Sequence, residues 1–139
     1  MVKTLIVSHG DLAHVLLRSA ETIAGPNPAL AAVSLAWDDE PAEARRKVAE
    51  AIGALGAEDG LLILTDMFGG TPNNIAAGFA EPGRVEVVAG VNLPMVLRLE
   101  CMGETGTRTV SDLAAWIESK GRGSIRHQIG AENGGPCGG

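Results

Sequence analysis

The spacing of apolar positions changes period repeatedly along the chain, and each change marks an element. Val2 to Val7 is a short β-branched run that reads as a first strand, broken at Ser8-His9-Gly10. From Asp11 the spacing lengthens. Leu12, Val15, Leu16, Ala20 and Ile23 recur at three- and four-residue steps, the period of an amphipathic helix. Gly25-Pro26-Asn27-Pro28 ends that helix. Leu30 to Ala36 reads as a second strand. Beyond the charged Asp38-Asp39-Glu40, Pro41 suits a first helical turn, and Ala44, Val48, Ala51, Ile52 and Leu55 line one face of a second helix.

Leu61 to Leu64 is wholly apolar and bounded by turn residues, which predicts the most buried strand of the chain. It runs into Thr65-Asp66-Met67-Phe68-Gly69-Gly70, then Thr71-Pro72, then a third helix carrying Ile75 and Phe79. Arg84 to Ala89 reads as a fourth strand, and a helical stretch begins near Met95. A last helix sets Val110, Leu113, Ala114 and Ile117 on one face, capped by Ser111 or Thr109. Ser124 to Ile129 has the make-up of one more short strand. Residues 131–139 are glycine-rich with little to pack, so a flexible tail is expected after a single domain over 1–130.

Four alternations of strand and helix predict an α/β fold, a doubly wound, mainly parallel sheet flanked by helices. In such sheets ligands sit beyond the carboxyl ends of the strands, at a switch in strand order. Two breaks qualify, Ser8-His9-Gly10 after the first strand and Asp66 to Thr71 after the third. If those strands are neighbours, His9 and Asp66 face each other across the top of the sheet.

Composition agrees with this layout. Of 139 residues 45% are hydrophobic but only 3% aromatic, with no Tyr, so the core must be Leu, Ile, Val and Ala, as in helices packed on a parallel sheet. The net charge of -6 leaves no overall basic field for nucleic acid or an anionic membrane. No apolar run is long enough to span a bilayer, and no signal-peptide core follows Lys3, so a cytoplasmic protein without direct membrane insertion is expected. Cys101 and Cys137 match no metal or redox spacing and read as incidental thiols. The chain has neither a phosphate-binding Gly-Lys-Ser/Thr loop nor a dinucleotide glycine fingerprint. His14 and His127 make no metal pair with His9, so neither a metal nor a cofactor is expected.

The chemistry available at the two breaks is that of a nucleophilic imidazole. A histidine at a strand-to-helix turn meets partners and is aimed by its surroundings, and its protonation changes near neutral pH. The dipole of the helix that follows favours the neutral ring and an anion attached to it. Asp66, at the end of a buried strand, needs a partner. It either caps its own turn or accepts a hydrogen bond from one ring nitrogen of His9, which fixes the tautomer and leaves the other nitrogen free to attack. Gly69 and Gly70 let backbone amides approach a ligand, and Thr71 reads as a helix cap with Pro72 behind it. Thr71 and these amides are therefore candidate donors to phosphoryl oxygens. Asn73, Asn74 and Asn92 are either polar contacts of the same site or caps of helix ends.

Three segments taken together resemble a known family. Ser8-His9-Gly10-Asp11-Leu12-Ala13, LLILTDMFGGTPNN from Leu61 to Asn74, and AGVNLPM from Ala89 to Met95 resemble the EIIA component of the mannose family of the bacterial sugar phosphotransferase system. The resemblance implies a flavodoxin-like three-layer sandwich and a protein-histidine phosphotransferase. Such a protein accepts phosphate from the phosphocarrier protein HPr on a histidine and passes it to an EIIB protein. It implies His9 as that histidine, Asp66 as its supporting carboxylate and Thr71 as the phosphate-contacting hydroxyl, where some relatives carry serine. It also implies a homodimer in which an antiparallel C-terminal strand, here Ser124 to Ile129, is exchanged between subunits. No fused EIIB domain follows in this sequence, so the acceptor is expected to be a separate protein or absent. Two roles stay open: sugar uptake, or regulation in which the phosphorylation state controls a partner without onward transfer. An EIIA-like subunit of a dihydroxyacetone kinase is a nearer rival, expected to lack the Phe-Gly-Gly-Thr-Pro-Asn run. Non-covalent binding of a small anion is a more distant one.

Overall fold

A computed structural model of the chain describes residues 1–102 and 108–131. Four strands, β1 (Lys3–His9), β2 (Leu30–Leu35), β3 (Leu61–Thr65) and β4 (Val85–Ala89), form one sheet in the order β2-β1-β3-β4, and every pairing is parallel. Five helices join and cover them: α1 (Leu12–Ala24), α2 (Pro41–Leu55), α3 (Thr71–Ala77), α4 (Leu93–Met102) and α5 (Val110–Gly123). The doubly wound α/β sandwich expected from the sequence is the fold observed.

Alternation along the central strands divides the core into two halves. Ile6, Leu62 and Leu64 pack on one face against α1, α4 and α5, through Ala13, Ala20, Val96, Leu99, Leu113 and Ile117. Leu5, Val7, Leu61 and Ile63 pack on the other face against α2 and α3, through Ala44, Val48 and Ala76. All five residues of β3 are buried, as its unbroken apolar run requires of a strand covered on both sides. The edge strand β4 is different, with all five residues only half-buried.

Three details depart from the expectations. β1 does not break at Ser8. It continues through His9, because Ser8 and His9 stay in register with Ser34 and Leu35 of β2 and the Gly10 amide donates to the Leu35 carbonyl at 2.8 Å. Residues 124–131 form no strand within the single chain, and Ile125 and Ile129 are exposed. Cys101, read as an unpaired thiol, is disulfide-bonded, since separation along a chain does not fix proximity in space. Apart from Ala131, the expected tail lies outside the described residues.

Candidate functional site

β1 and β3 are hydrogen-bonded neighbours, with Val7 opposite Thr65. The next turn of chain on each strand therefore delivers His9 and Asp66 to the same place, at the carboxyl end of the sheet where the strand order switches. The His9 ring Nδ1 lies 2.7 Å from Asp66 Oδ2, and the same oxygen accepts the His9 backbone N–H at 2.9 Å. The second carboxylate oxygen accepts the Met67 amide at 2.9 Å. Asp66 thus both closes its own turn and holds the imidazole, so the two roles left open by the sequence are filled at once. Its burial opposes ionisation, but the hydrogen bonds from the His9 amide, the His9 ring and the Met67 amide outweigh that cost. The carboxyl is held below its ordinary range.

The Asp66 carboxylate can only accept, so Nδ1 donates to it, and Nε2 has no hydrogen-bond partner among the described residues. Only a fifth of the His9 side chain is exposed, so the ring meets solvent over a narrow aperture. The loop after β3 forms one wall. Gly69 has φ +82°, the left-handed region that favours glycine. Gly70 has φ -78° and ψ 168°, which any residue adopts. It is instead constrained by space: a Cβ there would lie 2.9 Å from His9 Cε1 and 3.6 Å from Nε2.

Thr71 is placed differently from the expectation. Gly70, in extended conformation, is the N-cap of α3, and Thr71 is the first helical residue with Pro72 second; no side chain caps this helix. The physical reason is that Pro is tolerated at either of the first two positions, so it does not fix the cap by itself. Thr71 is exposed beside Gly70, and its hydroxyl makes no hydrogen bond among the described residues.

All three asparagines make hydrogen bonds within the fold. Asn73 is buried and accepts the Thr65 hydroxyl at 3.0 Å. Asn74 reaches back to the Gly69 carbonyl at 3.4 Å. Asn92 accepts the Met95 amide at the start of α4 and donates to Ser124 Oγ at 3.2 Å, tying α4 to the end of α5. His14 and His127 are exposed, and His14 lies 2.5 Å from Ser34 Oγ. Ser8, which the sequence presented only as part of a break, is fully buried. Its hydroxyl accepts the Ala13 amide at 2.6 Å, so it anchors the first turn of α1 beneath His9.

One site residue escaped the sequence reading. Trp37, in the loop between β2 and α2, stacks on the His9 ring with centroids 4.6 Å apart and planes 18° from parallel. The signal was there: a tryptophan within Ala36-Trp37-Asp38-Asp39-Glu40 has no apolar periodicity to serve, and this loop leaves the strand beside β1. Phe68 and Met67 also stand exposed on the loop after β3.

The family model described as the fructose IIA component of the phosphotransferase system matches residues 3–115. The fructose-specific EIIA component of Bacillus subtilis is 36% identical over 105 residues, 75% of this chain and 72% of that protein. The mannose-specific EIIAB component of Escherichia coli K12 is 26% identical over 126 residues, which are 90% of this chain but only 39% of that longer protein. Among solved structures, the mannose/sorbose-specific IIA subunit of Enterococcus faecalis superposes with a TM-score of 0.81 at 29% identity, covering 96% of this chain and 98% of that one. An EIIA component from Streptococcus agalactiae gives 0.77 at 25%, covering 91% and 97%. With a half-buried carboxylate holding a histidine at the switch point of this fold, and a family model spanning most of its length, the chain belongs to the mannose family of phosphotransferase-system EIIA components.

Proposed function

We propose that this EIIA component is a phosphocarrier: His9 accepts a phosphoryl group from phospho-HPr and passes it to an EIIB protein in sugar uptake. The observation that carries the reading is the His9–Asp66 pair, which commits Nδ1 and leaves Nε2 as the nucleophile. In the step, the Nε2 lone pair forms the new N–P bond while the N–P bond of the donor breaks. The released electron pair returns to the donor's imidazole. The proton stays on Nδ1, hydrogen-bonded to Asp66, whose negative charge stabilises the cationic ring. No proton has to leave the reacting nitrogen.

Gly69, Gly70 and Thr71 hold the phosphoryl oxygens in this reading. The absence of a side chain at Gly70 leaves room beside Cε1 and Nε2, and the Thr71 hydroxyl is unengaged and follows next in the chain. The transfer is positioning and charge stabilisation, because the incoming group already sits on a reactive imidazole. The protein works in the cytoplasm as a homodimer, with the segment 124–129 of one subunit added to the open edge of β4 in the other. Half-exposed β4 and the exposed Ile125 and Ile129 support that pairing. No helix among the described residues is long and apolar enough to cross a membrane.

The test is reconstitution. Incubation with phosphoenolpyruvate, enzyme I and HPr should put an acid-labile, base-stable phosphate on the wild type and none on His9→Ala. Adding a cognate EIIB should discharge it. An undiminished adduct on His9→Ala contradicts the carrier role of His9, and a phosphate that no EIIB removes contradicts onward transfer.

A further inference from the structure

The His9 ring is fixed on more than its carboxylate side. Asp66 holds one edge, the Gly70 backbone abuts Cε1, and the indole of Trp37 covers a face. Trp37 lies close over the loop after β1 as well: a Cβ on Gly10 would sit 3.3 Å from the indole Nε1. Yet Trp37 is 81% exposed, so it fills no core and its burial contributes little to folding. Its placement, not its burial, is what sets it apart. Here it stands against the nucleophile.

We propose that Trp37 is a positioning residue for His9, holding the imidazole plane so that Nε2 addresses the incoming phosphorus, and stabilising the ring as it becomes cationic. The proposal rests on the phosphocarrier reading. A hydrogen bond to Nδ1 alone leaves the ring free to swing about the axis of that bond, and the stacked indole removes this freedom. Near-parallel planes at 4.6 Å are also within the range in which a cation is attracted by the face of a tryptophan, the strongest of the aromatic partners. As the N–P bond forms on Nε2 with the proton retained on Nδ1, the imidazole acquires that positive charge. The indole face therefore interacts more strongly with the transferring state than with the resting ring, which is the condition for raising a rate and not merely an affinity.

The experiment has two arms. In the first, NMR of the His9 ring protons reads the stack without reference to any reaction. The wild type should show them displaced upfield by the indole ring current, and Trp37→Ala should lose the displacement; identical shifts in the two proteins overturn the proposal. In the second, phosphorylation by phospho-HPr is followed at saturating and subsaturating donor. Trp37→Ala should lower the saturating rate about tenfold with little change in KM, since small misplacement of a nucleophile is costly. Trp37→Phe, which retains a stacking face, should recover most of the rate. A raised KM with an unchanged saturating rate overturns the proposal and makes Trp37 a docking contact for HPr. No phosphate on the wild type overturns the carrier reading and this one together, whereas full-rate phosphorylation of Trp37→Ala overturns this one alone.

Discussion

Gly70 shows how the site is shaped by what is missing. Its backbone suits any residue, so Gly70→Ala should fold with a stability change below about 1 kcal/mol. The new methyl must nevertheless displace the ring from its 2.9 Å approach, against the hold of Asp66. Phosphorylation of His9 in Gly70→Ala should slow about tenfold or more, checked by the same donor assay with thermal unfolding as control. A second residue ties stability to pH. Glu100 on α4 is 6% exposed and both carboxylate oxygens lack a partner among the described residues; burial first, and then the charge of Glu21, push its pKa up from 4.5 to about 7. A carboxyl whose folded value is raised favours the protonated native state. Its ionisation cost is therefore absent below about pH 4.5, grows as pH rises, and is complete above about 7. Glu100→Gln should remove this slope and gain about 1–3 kcal/mol over the wild type near pH 8, with little difference at pH 5, read from denaturant unfolding. His9 and Asp66 were legible in the sequence because strand adjacency was the only unknown. Trp37 stood out only as an apolar residue outside any period; its stack on His9 was not legible, because that depends on where each loop lands.

At the level of elements, the sequence resolved types well and ends less well. The choice between Ser111 and Thr109 as the cap of α5 is settled by a hydrogen bond, in which Thr109 Oγ1 accepts the Asp112 amide at 3.1 Å. Thr109→Ala should cost about 1 kcal/mol and lower the melting temperature, while Ser111→Ala should not open the cap; calorimetry on both variants checks this. The face of α1 was harder to read. Its three- and four-residue spacing marked Leu12, Val15, Leu16, Ala20 and Ile23 as one face; Ala20 is buried and Leu16 packs on the core, yet Leu12, Val15 and Ile23 are about half exposed, and Ala13, outside that set, is buried. Small residues win where a helix must lie close against a sheet and a neighbouring helix, and α1 packs on β1, β2 and α4 together. Likewise β1 ran two residues past its apolar stretch. Pairing with β2 sustained it, and a partner strand is invisible in a single run of sequence.

The whole molecule has one finished and one unfinished side. Both faces of the sheet are covered, but the β4 edge borders a groove of about 480 Å³ lined in part by Phe68, Val87, Met95 and Ile125. An open edge beside exposed isoleucines is a pairing surface, and in the proposed dimer it receives the C-terminal segment of the other subunit. Ile125→Asp with Ile129→Asp should convert a dimer to a monomer in sedimentation equilibrium, leaving the circular dichroism of the sheet and helices intact. A wild type that sediments as a monomer contradicts the exchange. In the proposed dimer this segment pairs with a second chain, and a single sequence carries no sign of such a partner. The claim on which the rest depends is that a phosphoryl group resides on one particular ring nitrogen. Nitrogen-15 and phosphorus NMR of the phosphorylated protein, with labelled histidine, tests it most directly. The account expects phosphorus coupled to Nε2 of His9 with a protonated Nδ1; coupling to Nδ1, or phosphate on His14 or His127, would contradict it.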